Sequence, residues 1–206
     1  MEISACNSID GTVTSMKKGK ATTDLRMSSA IGELALVVTS SAVEALALAP
    51  GDTVVAYFRE IDVMLTAGGG TISTKNRFPA RVVGEVKKGN VTAEFQLALA
   101  GGRTITAVVA RAAAEDMGLA PGSEVLACVR EGDLLLAKGG QLSVRNRSTG
   151  TITDLRPGTV TTEVTVAVEG GTVQALLARS TAEAMRLAMG DRVQALSRER
   201  DTLLAR

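Results

Sequence analysis

The pentapeptide Ile3-Ser4-Ala5-Cys6-Asn7 opens the chain and returns twice, as Ile72-Ser73-Thr74-Lys75-Asn76 and as Leu142-Ser143-Val144-Arg145-Asn146. The final asparagines of these copies are 69 and then 70 residues apart. This period is longer than the single supersecondary unit of a solenoid and has the length of a small domain. The pentapeptide therefore predicts three tandem copies of one domain.

Two further landmarks recur in the same order in each copy. They are Leu48-Ala49-Pro50-Gly51-Asp52 with its counterparts at 119–123 and 187–191, and Arg59-Glu60-Ile61-Asp62 with its counterparts at 130–133 and 198–201. We expect compact domains at 1–67, 71–137 and 141–206, each a unit of its own. The glycine-rich linkers between them, Ala67-Gly68-Gly69-Gly70 and Lys138-Gly139-Gly140, are flexible but short.

Each repeat is rich in short strand patterns and contains one helix signal. In the first repeat Thr12–Met16 and Asp24–Met27 alternate around a Lys-Lys-Gly turn, and 53–58 and 63–65 predict two final strands. Ser41-Ala42-Val43-Glu44 has the pattern of a capping box that opens a short helix, and the third repeat has Ser180-Thr181-Ala182-Glu183. The predicted fold is all-β: three tandem small OB-like Greek-key β-barrels, each with one short helix.

The composition excludes several functional classes. The chain has no His and no Trp, and aromatic residues make up 2% of it, so histidine-based catalysis and base stacking are disfavoured. The net charge of +1 argues against nucleic acid as a partner. Two isolated cysteines, no signal segment and no bilayer-length apolar run predict a cytoplasmic protein that does not contact a membrane.

The polar residues that recur near the pentapeptide form a chemically coherent set. A serine recurs as Ser4, Ser73 and Ser143. The residue two positions later is a cation in the second and third repeats, Lys75 and Arg145, but is Cys6 in the first, and an arginine lies near the end of each repeat. Hydroxyl, guanidinium and main-chain N–H groups are all donors, and no carboxylate joins the leading tetrapeptide. Such a cluster suits binding of a small anion without turnover. The alternative is that these residues are solvated charges and caps at strand ends.

The motifs quoted above, together with Thr104–Val109 and Asp62-Val63-Met64-Leu65, resemble the Mop module of molbindins, which is also the transport-associated OB (TOBE) domain. The resemblance covers nearly the whole chain. It implies a cytoplasmic protein that binds and stores molybdate or tungstate at interfaces between modules, needs no cofactor, and is not an enzyme. Because the family forms assemblies of six modules, it also implies a homodimer of this chain.

The resemblance also implies a set of oxyanion-binding residues. In the family one module supplies the Ser, the next main-chain N–H and the Arg of Ser-x-Arg-Asn, with a Lys before the last strand, and the partner supplies a Thr and a Ser near its helix. Carried onto this sequence, the candidates are Ser4, Ala5, Cys6, Thr39, Arg59, Ser73, Thr74, Lys75, Arg130, Ser143, Val144, Arg145, Thr181 and Arg198.

No repeat carries the complete family pattern. Cys6 and Lys75 replace the Arg that survives as Arg145, and the Thr that survives as Thr39 is Ala110 and Ala178 elsewhere. A complete site requires donors from two modules. The main alternative function is therefore a structural or regulatory protein-interaction module whose anion sites have degenerated; a second alternative, an oligonucleotide-binding OB protein, is disfavoured by charge and composition.

Overall fold

The described residues, 3–67 and 72–202 of the computed structural model, form fifteen strands and three short helices. The predicted glycine linker at 68–70 lies outside the described residues, as do the outer ends of the first and third predicted domains, 1–2 and 203–206. The predicted fold class, an all-β chain of three OB-like repeats with one short helix in each, is confirmed.

The three repeats share the order of their first three strands, helix and fourth strand, and differ in their 3-10 turns and last strands. The first contains β1 (Asn7–Lys18), β2 (Thr22–Ser29), β3 (Gly32–Thr39), α1 (Ser40–Ala45), β4 (Thr53–Phe58), a 3-10 turn (Glu60–Asp62) and β5 (Met64–Thr66). The second contains β6 (Asn76–Lys88), β7 (Thr92–Leu99), a 3-10 turn (Ala100–Gly102), β8 (Thr104–Ala110), α2 (Arg111–Asp116), β9 (Glu124–Val129) and β10 (Leu135–Lys138), followed by β11 (Gln141–Leu142). The third contains β12 (Asn146–Pro157), β13 (Thr161–Val168), β14 (Gly171–Ala178), α3 (Arg179–Ala184), β15 (Arg192–Ser197) and a 3-10 turn (Glu199–Asp201).

The first two repeats exchange their last strands. The strand β5 of the first repeat pairs antiparallel with β9 of the second, with Met64 opposite Cys128. Conversely, β10 of the second repeat pairs with β4 of the first, with Leu135 opposite Tyr57. The expectation that each repeat forms a compact unit of its own is therefore wrong for this pair, because each sheet is completed by a strand from the other repeat.

The hydrophobic core follows this exchange. One continuous cluster of buried side chains runs through the first two repeats and includes Leu25, Phe58, Phe95 and Leu136. The third repeat has a separate and smaller cluster around Ile152 and four other buried side chains. The chain thus consists of an intertwined pair of repeats and a third repeat with its own core.

The helix caps differ from the capping boxes expected from the sequence. Helix α1 begins at Ser40, and the side chain of Thr39 accepts a hydrogen bond from the N–H of Ala42 at 3.2 Å. Helix α3 follows Ala178, which has no side-chain cap. The predicted boxes at Ser41 and Ser180 are therefore wrong, because both serines lie inside the helix.

Candidate functional site

Two buried asparagines fix the geometry of the paired repeats. The side-chain amide of Asn7 donates to the carbonyl oxygen of Thr106 at 2.8 Å and accepts from its N–H at 2.7 Å. Asn76 makes the same two bonds with the main chain of Ala35, at 2.8 and 2.7 Å. Because Thr106 on β8 and Ala35 on β3 occupy equivalent repeat positions, the contacts are reciprocal. Each leading tetrapeptide, 4–7 and 73–76, is thereby pinned against the third strand of the other repeat.

A cleft of about 330 Å³ lies beside the second tetrapeptide, and all three repeats line it. The second repeat supplies most of its wall, the first repeat supplies two residues from β2 and β3, and the third repeat supplies one arginine from its 3-10 turn. The lining residues are Asp24, Val37, Ser73, Thr74, Lys75, Arg130, Glu131, Gly132 and Arg200. Four of the predicted oxyanion-binding residues, Ser73, Thr74, Lys75 and Arg130, therefore meet at this cleft.

The cations of the cleft have carboxylate neighbours. The ammonium of Lys75 is 4.0 Å from Asp24 Oδ2. The Nε of Arg130 donates to Asp133 Oδ2 at 2.6 Å, and this ion pair raises the pKa of the arginine above its usual value. The Nη1 of Arg200 is 3.3 Å from Asp133 Oδ1. Lys75 is consequently the cation of the cleft with the loosest ion pair.

A carboxylate also contacts the tetrapeptide itself. The N–H of Lys75 donates to Glu131 Oε1 at 2.8 Å, and the hydroxyl of Thr74 lies 3.4 Å from Glu131 Oε2. The same hydroxyl donates to the carbonyl oxygen of Val129 at 2.6 Å. The inference of a cluster composed only of donors is therefore wrong, because the chain folds an acid from the Arg-Glu-x-Asp landmark onto the donors.

The first tetrapeptide meets the start of helix α3 from the third repeat. The hydroxyl of Thr181 donates to Glu60 Oε1, and both residues are buried. The Cys6 thiol lies beside them. Although the residue is exposed, desolvation and the adjacent Glu60 carboxylate raise the pKa of this thiol to about 12. Two more candidates thus come together here, Cys6 and Thr181, while Ser4 is half-buried and Ala5 is buried.

The third tetrapeptide has a different environment. The Oγ of Ser143 accepts from the N–H of Leu136 at 2.9 Å, and Val144 is buried. Arg145 is exposed and has no ion pair with any residue in 3–67 or 72–202. Asn146, the counterpart of Asn7 and Asn76, is exposed and donates to Thr202 Oγ1 at 3.1 Å. The structure does not bring this tetrapeptide to the third strand of another repeat.

The closing arginines converge where the repeats meet. Arg59 forms a two-point contact with Asp62, at 2.9 and 2.8 Å, which raises the pKa of the guanidinium. Arg198 binds Asp201 at 2.5 Å and reaches Asp133 in the second repeat at 3.2 Å. The carboxylate of Asp133 is 1% exposed and accepts from arginines of two repeats. Arg59, Arg130 and Arg198 are thus held by acids of the chain, and we call this cluster the arginine–aspartate hub.

The remaining candidate, Thr39, lies outside the lining of the cleft, where it caps its own helix. The site residues that sequence reasoning missed are Glu60, Glu131, Asp133, Asp24 and Arg200. The recurrence of Glu and Asp in the Arg-Glu-x-Asp landmark was a usable signal, since an acid kept beside a cation in all three copies indicates an ion pair. In the described residues there is neither a cluster of three metal-ligating side chains nor a helix able to cross a membrane.

Comparison with known proteins defines the class. The TOBE domain family matches three times, over residues 3–65, 72–135 and 142–197. The chain belongs to the TOBE domain family, and the resemblance drawn from the pentapeptide is confirmed.

Individual relatives are named for molybdenum. The molybdenum-pterin-binding protein MopA of Rhodobacter capsulatus is 36% identical over 140 residues, covering 66% of this chain and 53% of the relative. The molybdenum-pterin-binding protein 2 of Clostridium pasteurianum is 39% identical over 66 residues, covering 32% of this chain and 96% of the relative. The chain spans about half the length of the Rhodobacter relatives.

A solved structure is similar to about two thirds of this chain, the length of two repeats. The cytoplasmic molybdate-binding protein ModG, crystallised with molybdate bound, superposes with a TM-score of 0.64 at 34% identity. The match covers 67% of this chain and 99% of ModG.

Proposed function

We propose that this chain binds molybdate, or the similar dianion tungstate, at interfaces between its repeats and holds it reversibly. The observation that carries the proposal is the cleft beside the second tetrapeptide, where three repeats bring hydroxyl, ammonium, guanidinium and main-chain N–H groups together. A buried dianion is stable only when several donors replace its water, and charge-assisted bonds do so best. The molybdate bound to ModG and the names of the other relatives support the choice of anion.

The chemistry of the site supports binding rather than turnover. The chain has no His that could act as a general base. The raised pKa of Cys6 keeps its thiol protonated at neutral pH, so the thiol is not a ready nucleophile. We place the protein in the cytoplasm by analogy with ModG. A net charge of +1 supports a function that does not involve nucleic acid or an anionic membrane.

We further propose that two copies assemble through their third repeats, giving six modules. In the intertwined pair, each tetrapeptide asparagine binds a residue at the same place in the third strand. Ala35 lies four residues before Thr39, which precedes helix α1, and Thr106 lies four residues before Ala110, which precedes helix α2. In the third repeat this position is Gln174. Reciprocal bonds from Asn146 of each copy to the main chain of Gln174 in the other would repeat the contact seen within the intertwined pair.

The surface of the third repeat supports this assembly. Leu176 on β14 is 50% exposed, whereas its counterpart Val108 on β8 is 6% exposed and packs with Ile61 of the first repeat. The outer edge of β15 has no neighbouring strand among the described residues, while β4 and β9 are both covered. A second copy would bury the leucine and pair the open edge.

Calorimetric titration tests the binding, with molybdate, tungstate, sulfate and phosphate added separately. We expect saturable heat and a raised melting temperature with the first two anions. Lys75→Ala should weaken binding, while Lys20→Ala, which removes an exposed lysine of a turn, should leave it unchanged. The absence of heat and of a thermal shift with all four anions would overturn the proposal.

Light scattering tests the assembly. We expect twice the 21.3 kDa chain mass for the natural protein and a single chain mass for Asn146→Ala. Asn90→Ala, which replaces an exposed turn asparagine, should remain dimeric. A natural protein that stays at a single chain mass at micromolar concentration would contradict the dimer.

One observation favours the alternative of a structural or regulatory interaction module. All three closing arginines and the second tetrapeptide already have carboxylate partners in the chain. If the protein dimerises but takes up none of the four anions, this function replaces oxyanion binding.

A further inference from the structure

Glu60, Glu131 and Glu199 occupy one position of the repeat, directly after the closing arginine. Glu60 is 1% exposed and accepts from Thr181 of the third repeat. Glu131 accepts from the second tetrapeptide. The Oε1 atom of Glu199 is buried and has no hydrogen-bond partner among the described residues. Each of the three acids thus has at least one oxygen that is buried or held by another part of the chain.

One oxygen of Glu131 is bound as the oxygen of an oxyanion would be, because it accepts from the main-chain N–H of Lys75 at 2.8 Å. The other oxygen lies 3.4 Å from the hydroxyl of Thr74, which donates its proton to the carbonyl oxygen of Val129. A carboxylate and a molybdate ion accept hydrogen bonds through the same kind of charged oxygen, so they compete for the same donors. Three cations, Lys75, Arg130 and Arg200, line the same cleft.

We infer that Glu131 is an internal pseudo-ligand: its carboxylate occupies the Lys75 N–H of the second tetrapeptide, and an external oxyanion binds that donor only by displacing it. This inference rests on the proposed function, because it concerns the same cleft. Glu131 would thus lower the affinity of the site for an external oxyanion. The carboxylate also satisfies the Lys75 N–H while the cleft is empty, which prevents an unpaired donor in the empty form.

Two properties follow for a protein in which this carboxylate has lost its charge. The empty form loses a charge-assisted bond and becomes less stable. An entering dianion no longer meets a negative charge within the cleft, so it binds more tightly. The gain in affinity should be about tenfold, the effect of one nearby like charge screened almost as strongly as in water. A residue with a purely structural role would produce the first effect without the second.

The test compares Glu131→Gln with the natural protein by calorimetric titration with molybdate and by thermal melting. The variant keeps the size of the side chain and an acceptor oxygen. We expect a lower melting temperature without anion, about tenfold tighter molybdate binding, and a larger thermal shift on adding molybdate. Glu124→Gln, an exposed acid of β9 outside the cleft, is the matched control and should change none of these.

The outcomes separate this inference from the proposed function. If both proteins bind molybdate with equal affinity, or the variant binds more weakly, the pseudo-ligand is refuted and oxyanion binding stands. If only the variant binds, the pseudo-ligand is supported and the natural site is self-occupied. If neither binds, both proposals fall. Should Glu131→Gln not fold, Glu131→Asp, which withdraws the carboxylate by one methylene, should shift affinity and melting in the same directions.

Discussion

The intertwined pair formed by the first two repeats and the third repeat, which docks on the pair but keeps its own core, have the same module but different surroundings. In the pair, Asn7 and Asn76 are buried and bind main chain across the interface, one core runs through both repeats, and each last strand completes the other sheet. In the third repeat the equivalent Asn146 is exposed, the core is small and Leu176 is half-exposed. A module intertwined with a second one therefore has a larger core than the third repeat, whose tetrapeptide asparagine and Leu176 stay exposed.

The largest effect should come from the arginine–aspartate hub, which joins the two regions. We expect Asp133→Asn to lower the free energy of unfolding by about 3–5 kcal/mol, because this buried carboxylate holds arginines of two repeats and three charge-assisted contacts weaken at once. Chemical denaturation should then show the third repeat unfolding before the pair. Asp154→Asn, at an exposed ion pair with Arg156, should cost less than about 0.5 kcal/mol. A single unchanged transition would show that the hub does not couple the regions.

The second largest effect should come from loss of the buried contact between Asn76 and the main chain of Ala35. Asn76→Ala leaves the buried N–H and carbonyl oxygen of Ala35 without partners, and we expect a loss of about 2–4 kcal/mol in the free energy of unfolding. Asn146→Ala, measured at a concentration where the chain is monomeric, should cost less than about 0.5 kcal/mol because that side chain is exposed. Equal losses in the two variants would remove the contrast between buried and exposed asparagines.

The sequence predicted the repeat and its strands well because these are local patterns that recur three times. Thr53–Phe58, for example, is the strand β4 expected from its apolar residues. The exchange of β5 and β10 was not predictable, since a short final strand has the same pattern whichever sheet it joins. The segment before the last strand is a 3-10 turn at Glu60–Asp62 in the first repeat and an ordinary turn at 131–133 in the second, and neither residue pattern signals which sheet the next strand joins.

The candidate site was predictable in its members but not in its charge balance. Ser73, Lys75 and Arg130 do converge on one cleft, as expected for residues that recur beside strand ends. The position of Glu131 depends on how a turn folds back over the tetrapeptide from 56 residues further along the chain. Likewise, Thr181 meets Glu60 only because a third repeat docks on the first, a contact between residues 121 positions apart.

A third, smaller effect concerns the helices of the two regions. Thr39→Ala removes the side-chain cap of α1, and we expect a loss of about 1 kcal/mol in the free energy of unfolding. Thr39→Ser keeps an acceptor oxygen and should restore most of it. In the third repeat this position is already Ala178, so α3 has no such cap to lose. Urea denaturation of the two variants measures the difference; equal stability of both would show that the cap contributes nothing.

The smallest effect is a pH dependence that comes from one ion pair of the intertwined pair. The Lys138 ammonium, 2.7 Å away, holds the pKa of Asp52 below its usual value, with help from the N–H of Ala49. An acid with a lowered folded-state pKa stabilises the protein above its unfolded pKa of about 3.9, and this contribution is lost as the pH falls through the folded value.

The third repeat provides the control for this acid effect. Asp191 accepts from the N–H of Ala188 at 2.8 Å, as Asp52 does from Ala49, but it has no ion pair among the described residues. We therefore expect the urea midpoint of Lys138→Met to fall less than that of the natural protein between pH 6 and pH 3. Asp191→Asn should change this pH dependence less than Asp52→Asn does. Lys138 belongs to β10, the strand of the second repeat that completes the sheet of the first. A flattened profile would therefore show that the exchanged strand contributes to stability at acid pH. An identical profile for the natural protein and Lys138→Met would place the acid-sensitive groups elsewhere.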